Sequence, residues 1–202
     1  MPEAGRVRRT PRQTRSLERV DRILAAAAAL VQEGGVEAAT TTAIAARADV
    51  SPAALYQFFA NRDAVLERLI ADHVEELDRK LAAELTTLRP DSIAAAIDAF
   101  MTIHHTHYLA HPQFVALYYG GRQSRGITAD VHAHLNRLVD MCYSGLIGSG
   151  LLPHETDRRA IEVAVELGDR VFELAYRHGP DGSDWIIAEG TSALTRYLEA
   201  HQ

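Results

Sequence analysis

Cysteine is almost missing from this sequence. Cys142 stands alone among 202 residues, so no disulfide can form within the chain and no thiol-rich zinc site can be built. Aromatic residues are scarce at 6%, with a single tryptophan, which leans toward a helical chain. No apolar run approaches the roughly 18 residues that a membrane-spanning helix needs. The N-terminus is basic with no apolar segment of signal-peptide type behind it. A soluble, cytoplasmic protein is therefore expected. The short patterns that carry chemistry are missing too: there is no Gly-rich phosphate loop, nucleophile elbow or His-Glu-x-x-His. No histidine has Glu three residues before it, which leaves a di-iron bundle unsupported. Neither an enzyme nor a cofactor is expected. Strand signals, internal repeats and low-complexity segments are lacking as well.

What is there is an alanine-rich chain, 47% hydrophobic, whose apolar residues recur at helical spacing. The expected fold is all-α, with a three-helix N-terminal domain, a C-terminal helical bundle and about nine helices. Net charge is −6, which alone argues against nucleic acid, yet its distribution reverses that reading. Residues 1–62 carry nine Arg against six acids, a net of +3, while residues 63–202 carry twelve Lys and Arg against 21 acids, a net of −9. A basic head on an acidic body suits a DNA-binding module joined to a self-associating or ligand-binding one, because phosphate contacts carry much of the affinity. Three segments follow: a flexible basic arm over 1–16, a head over 17–66 and a body over 67–202. The arm, with Arg6, Arg8, Arg9, Arg12 and Arg15, reads equally as a solvated tail or as a minor-groove or phosphate contact.

In the head, Val20, Ile23, Leu24, Ala27, Leu30 and Val31 make one face of a helix that Gly34 and Gly35 end. Thr40 to Leu66 then reads as two short helices with a tight turn, running into a long third. Thr41 or Thr42 caps the first, and Asp49 and Val50 fill the turn. Ser51 caps the second with Pro52 in its first position, and Asn61 caps the third. This is a helix-turn-helix, whose second helix enters the DNA major groove. The residues Thr40-Thr41-x-x-Ile44-Ala45-x-x-Ala48-x-Val50-Ser51, followed by Leu55-Tyr56-x-x-Phe59-x-Asn61-Arg62-Asp63-x-Val65-Leu66, resemble the TetR family of bacterial one-component transcriptional regulators. Three positions depart from the family pattern: Asp49 stands where Gly is usual, Ala53 where Gly or Pro is frequent, and Arg62 where Lys is usual. The resemblance implies phosphate contacts from Thr41, Tyr56 and Arg62, with Ser51 beside them, and places Thr42, Ala53, Ala54 and Gln57 at base edges. Gln57 can pair with adenine, Thr42 can donate or accept, and the two alanines can touch only thymine methyls, so DNA shape is expected to carry part of the specificity. The plainer reading of Tyr56 is a packing aromatic.

The long helix from Arg62 to about Leu88 carries Val65, Leu66 and Leu69 for the head, then Val74, Leu77, Leu81 and Leu85 for the body. Further helices are expected from Asp91 or Ser92 to about Ala110, Gln113 to Tyr119, Thr128 to about Gly148, Thr156 to His178 and Ser183 to about His201, with Arg122 to Gly126 a loop. The last two helices are apolar on two sides, which suits a four-helix dimer interface. That interface is assigned to Ile161, Val165, Gly168, Phe172, Ile187, Leu194 and Leu198, beside a second face of Val163, Leu167, Val171 and Leu174 and another of Ile186, Ala193 and Tyr197. Earlier, the stripe Ile93, Ile97, Phe100 continues as His104, His107 and His111. Three readings stay open for that face: metal ligation, polar anchors of an organic-ligand pocket, or ordinary structure. The pocket reading takes in Phe100, His104, His107, Tyr108, His111, Phe114, Tyr118, Met141, Phe172 and Tyr176, with a small hydrophobic or aromatic ligand and no assigned metal. The resemblance thus implies a homodimeric, ligand-responsive repressor of a palindromic operator on double-stranded DNA. The alternatives are an activator or metal-responsive regulator of the same fold and, further off, a helical-bundle enzyme or an interaction protein without specific DNA binding.

Overall fold

The structure, a computed structural model, describes residues 11–120 and 125–202, with side chains over 15–120 and 131–202. Its described residues form nine α-helices and one 3-10 turn and contain no strand. The first helix, α1 (Pro11–Gly34), buries Ile23, Leu24, Ala27 and Val31 on the face that its spacing predicts. It ends where Gly35 turns to φ 73° and donates its N–H to the Val31 carbonyl at 2.8 Å. Because α1 begins at Pro11, residues 11–16 form its first turns instead of belonging to an arm. Arg6, Arg8 and Arg9 lie outside the described residues, as does the Arg12 side chain.

After the 3-10 turn (Val36–Ala38) come α2 (Thr41–Arg47) and α3 (Pro52–Tyr56). The cap of α2 is Thr40, whose Oγ1 accepts from the Ala43 N–H at 3.2 Å; Thr41 and Thr42, expected in that role, already belong to the helix. Asp49 takes the left-handed conformation at φ 53°, which explains how the turn closes without the usual glycine. Ser51 and Asn61 cap α3 and α4 (Arg62–Leu88) as expected, accepting at 3.1 and 2.8 Å. At 27 residues α4 is about 40 Å long. It buries Val65, Leu66 and Leu69 against the head and Val74, Leu77 and Leu81 against the body. Arg89, left-handed at φ 43°, stops it just before Pro90.

The body holds α5 (Ile93–Ala110, capped by Ser92), α6 (Pro112–Gly120), α7 (Arg125–Gly148), α8 (Arg158–Ala175) and α9 (Asp184–Glu199). Several boundaries differ from the sequence reading, among them the end of the helix expected to reach His178, which stops at Ala175. Arg125 and Gly126, expected in a loop, are helical. The eighth helix starts two residues later than expected, because Asp157 supplies the cap by accepting from the Arg159 N–H at 2.9 Å. Within the body α8 packs on α9, with α5 and α7 against the pair, while α4 lies on α5 and α7. The short α6 packs on α4, on α1 and on the 3-10 turn, so the body touches the head through α6 as well as through α4.

The dimer assignment needs correction. Ile161, Val165, Gly168, Phe172, Ile187, Leu194 and Leu198 are all buried within their own chain, where α8 and α9 face the bundle core. A helix apolar on two sides does not say which side its own bundle takes. Here the side bearing Phe172 turns inward, and Val163 and Leu167 remain 44% and 46% exposed on the other. The two outer helices meet closely at Gly190, where a Cβ would collide with the Val171 side chain; at Gly168 a Cβ would meet only Leu194, at an ordinary 3.7 Å.

Candidate nucleic-acid interface and effector sites

Leu55 and Phe59 are buried and, with the half-buried Phe58, fix α3 to the head, so Ala53, Tyr56 and Gln57 are left facing outward. Tyr56 is 54% exposed, Thr42, Ala53 and Gln57 are exposed, and Thr41 and Ala54 are half-buried. Ser51, also exposed, uses its oxygen lone pair as the α3 cap and keeps its hydroxyl proton for another partner. A packing role for Tyr56 does not fit such exposure. Arg62 is placed differently. Its Nε donates to the Ala39 carbonyl at 3.1 Å, its Nη2 donates to the Val36 carbonyl, and its Nη1 lies 3.6 Å from Glu37. The guanidinium therefore ties the start of α4 to the 3-10 turn, pairing the Ala39 carbonyl and adding a second donor to the Val36 carbonyl, which also accepts from the Ala39 N–H, where a free phosphate contact was expected. Arg47 is likewise engaged, in a two-pronged pair with Glu33 at 2.6 and 2.7 Å. Sequence reading missed Arg19 and Arg22, which continue from Arg15 at spacings of four and three along an exposed face of α1; that spacing was the available signal.

The expected ligand residues do not share one pocket. A cavity of about 740 Å³ opens between α4, α5, α7, α8 and α9, and of the expected residues only Phe100 and Met141 line it. Its walls are otherwise aliphatic, including Ile97, Leu146, Val165 and Leu194, with Thr86 and Ser149 polar and Arg89 the one charged side chain among its described lining residues. Cys142 also faces it; burial pushes that thiol up to about 12, so it stays protonated and unreactive. His104, Tyr108, Tyr118 and Phe172 instead close around a void of only about 10 Å³. There the His104 ring stacks on Phe172, with centroids 5.6 Å apart, and its Nδ1 donates to the Phe100 carbonyl at 2.9 Å. Burial, partly offset by that bond, holds His104 down at about 3, so the ring is a neutral core residue. Tyr176 bonds to Nδ1 of His105 at 2.8 Å. His107, His111 and Phe114 gather around His73 of α4.

Two family models cover most of the chain. One, described as "Bacterial regulatory proteins, tetR family", matches residues 23–69, and the other, "Tetracyclin repressor-like, C-terminal domain", matches residues 90–202. The chain belongs to the TetR family. A TetR-family transcriptional regulator from Streptomyces coelicolor is 30% identical over 91% of this chain and 99% of its own, with a TM-score of 0.64. FadR from Bacillus subtilis, in complex with stearoyl-CoA, shares the fold at 16% identity and a TM-score of 0.70, over 90% of this chain and 99% of its own. RolR, in complex with resorcinol, shares it at 18% identity and a TM-score of 0.66, over 94% of each chain. A search by sequence among curated proteins finds no match. In family terms the head is the DNA-binding module and α4 joins it to the effector body. No described helix is long and apolar enough to cross a membrane.

Proposed function

We propose that the chain is a homodimeric repressor, held on a palindromic operator until an apolar small molecule enters the cavity between α4 and α9. The observation that carries this reading is the joint placement of the cavity and the reading head. Leu85 and Thr86 of α4 line the cavity, while Arg62, Val65 and Leu66 at the other end of that helix build the head. A ligand that wedges the body helices apart shifts α4, and with it the spacing of two α3 helices across a two-fold axis. A coupling of a few kcal/mol is enough to release the operator.

The cavity supports a ligand class. Its volume lies within the range of small-molecule sites, and its walls favour an elongated apolar molecule whose acidic end meets Arg89. Stearoyl-CoA in the FadR complex and resorcinol in the RolR complex, both on this fold, are consistent with an organic effector. The partner is a second copy, seated on the outer face of α8 that carries Val163 and Leu167 and on the adjoining face of α9. An exposed apolar patch of this kind marks an interaction surface, and two heads are needed to read a palindrome.

The test is footprinting of the intergenic DNA beside the gene, followed by titration of the protected fragment against competitor DNA at rising salt. Protection of two half-sites, a steep fall of affinity with salt and release by a long-chain carboxylic acid are expected. Equal affinity for competitor DNA would overturn the reading.

A further inference from the structure

We infer that His73, His107 and His111 form a binding site for a divalent transition-metal ion, bridging α4 and the C-terminal end of α5, about two turns beyond the cavity-lining Phe100. The sequence stripe suggested His104, His107 and His111, but His104 and His111 are two turns apart, about 10 Å along the axis, so their rings cannot converge on one ion. His104 faces Phe172, and the third imidazole is His73, reached across the α4–α5 contact. Ring centroids lie 4.9 Å apart for His73 and His111 and 4.5 Å for His107 and His111, and one ligating nitrogen from each ring falls within 4.8 Å of the others.

Two features indicate that these rings are more than packing. Nδ1 of His73 and Nε2 of His107 are buried and have no hydrogen-bond partner. One ligating nitrogen from each of the three rings also converges within 4.8 Å of the others, where neutral imidazoles offer lone pairs to a single ion. Three imidazoles select zinc, cobalt, nickel or copper over magnesium or calcium, and leave a coordination position open. Asp72 and Glu76 lie near enough for their charges to act on His73, and they favour a cation. Lys80 opposes one: its Nζ sits 3.5 Å from Nδ1 of His107 and 3.4 Å from Glu76. Ligation through Nε2 of His107 puts the proton on Nδ1, so Lys80 must move to Glu76 alone. Bonds of about 2.0–2.1 Å in a tetrahedron space the donors about 3.4 Å apart, so binding draws the end of α5 toward α4 by about an ångström.

The test uses the tag-free full-length chain, stripped with chelator and titrated with cobalt(II), with zinc(II) as competitor; it involves no DNA and so stands or falls apart from the regulator reading. One ion per chain is expected, with the intense visible bands of a tetrahedral site, displaced by zinc. His73→Gln and His111→Gln, both at half-buried positions, should each weaken binding by more than about tenfold while keeping the helical circular dichroism. Lys80→Met removes the opposing charge and should tighten binding severalfold. Wild-type affinity no higher than that of His73→Gln, a spectrum that stays that of the hexaaqua ion, or an unchanged affinity in Lys80→Met would each overturn the site.

Discussion

Tyr56 presents more than half of its surface to solvent one residue after the fully buried Leu55, and that contrast divides labour within five residues of helix. In the proposed complex, a phenol held out on α3 would reach a phosphate at any sequence, whereas the Gln57 amide would recognise a base. Tyr56→Phe should therefore weaken binding to every DNA by a similar factor, and Gln57→Ala should relax preference at one base pair; binding to a library of single-site operator variants separates the two. Arg62 belongs to a different class. Removing its guanidinium takes the side-chain donor from the Ala39 carbonyl and leaves the Val36 carbonyl only the Ala39 N–H, so Arg62→Ala should cost about 1–3 kcal/mol of stability with no DNA present. Unfolding in urea measures this, and undiminished stability with lost DNA binding would return Arg62 to phosphate. His104 adds a pH dependence. Its folded value of about 3 lies below the ordinary 6.5, so between those values the unfolded chain takes up a proton that the folded chain refuses. Stability should then fall as pH drops below about 6.5, by up to about 1.4 kcal/mol per pH unit for this one group. His104→Phe should flatten that slope, read from urea midpoints at pH 7, 5.5 and 4.5.

Helices announce themselves differently according to how many sides they bury. The heads of α3 and α4 were legible because Ser51, Pro52 and Asn61 are local signals whose chemistry acts within three residues. The cap of α2 was misread by one residue only because three threonines stand in a row and each could accept. In contrast, α8 and α9 carry apolar residues on two sides, and only the packed bundle decides that Phe172 turns inward while Leu167 stays out. The histidine cluster was half legible: His107 and His111 lie on a visible stripe, but their partner is on another helix. His73 did leave a trace, since it sits at the inward 3–4 spacing between Ile70 and Leu77. Where α8 meets α9 the contact rests on one small residue. Gly190→Ala would drive its methyl into Val171 and should cost about 1–3 kcal/mol despite the better helix propensity of alanine. Val171→Ala opens the space, so the double variant should recover much of that loss; simple additivity of the two costs would show that the helices do not touch there.

Among the described residues, the basic head and the acidic body are joined chiefly by two routes, the length of α4 and the seat of α6 on α1 and the 3-10 turn. A shift of the body can therefore reach the reading helices without any rearrangement inside the head, whose own core closes around Ile44, Leu55 and Val65. In the proposed mechanism such a shift would start at the cavity, a large volume that the folded chain leaves unfilled between α4 and the outer helices. Gly145 gives a way to fill it permanently. This glycine lines the cavity from within α7, and a Cβ placed on it meets nothing within 4 Å. Gly145→Leu should gain about 1 kcal/mol from helix propensity alone, raising Tm by roughly 2–4 °C in a chain of this size. Its side chain occupies space that a ligand would need, so the variant should lose its response to long-chain carboxylic acids. If the cavity acts by being wedged open, operator affinity without ligand should stay near wild type, since one leucine fills the mouth without spreading α4 from α8. Thermal unfolding and operator titration, each with and without the acid, measure all three effects. Full ligand response in a stabilised Gly145→Leu would move the effector site out of this cavity and leave the link between the body and α4 without its trigger.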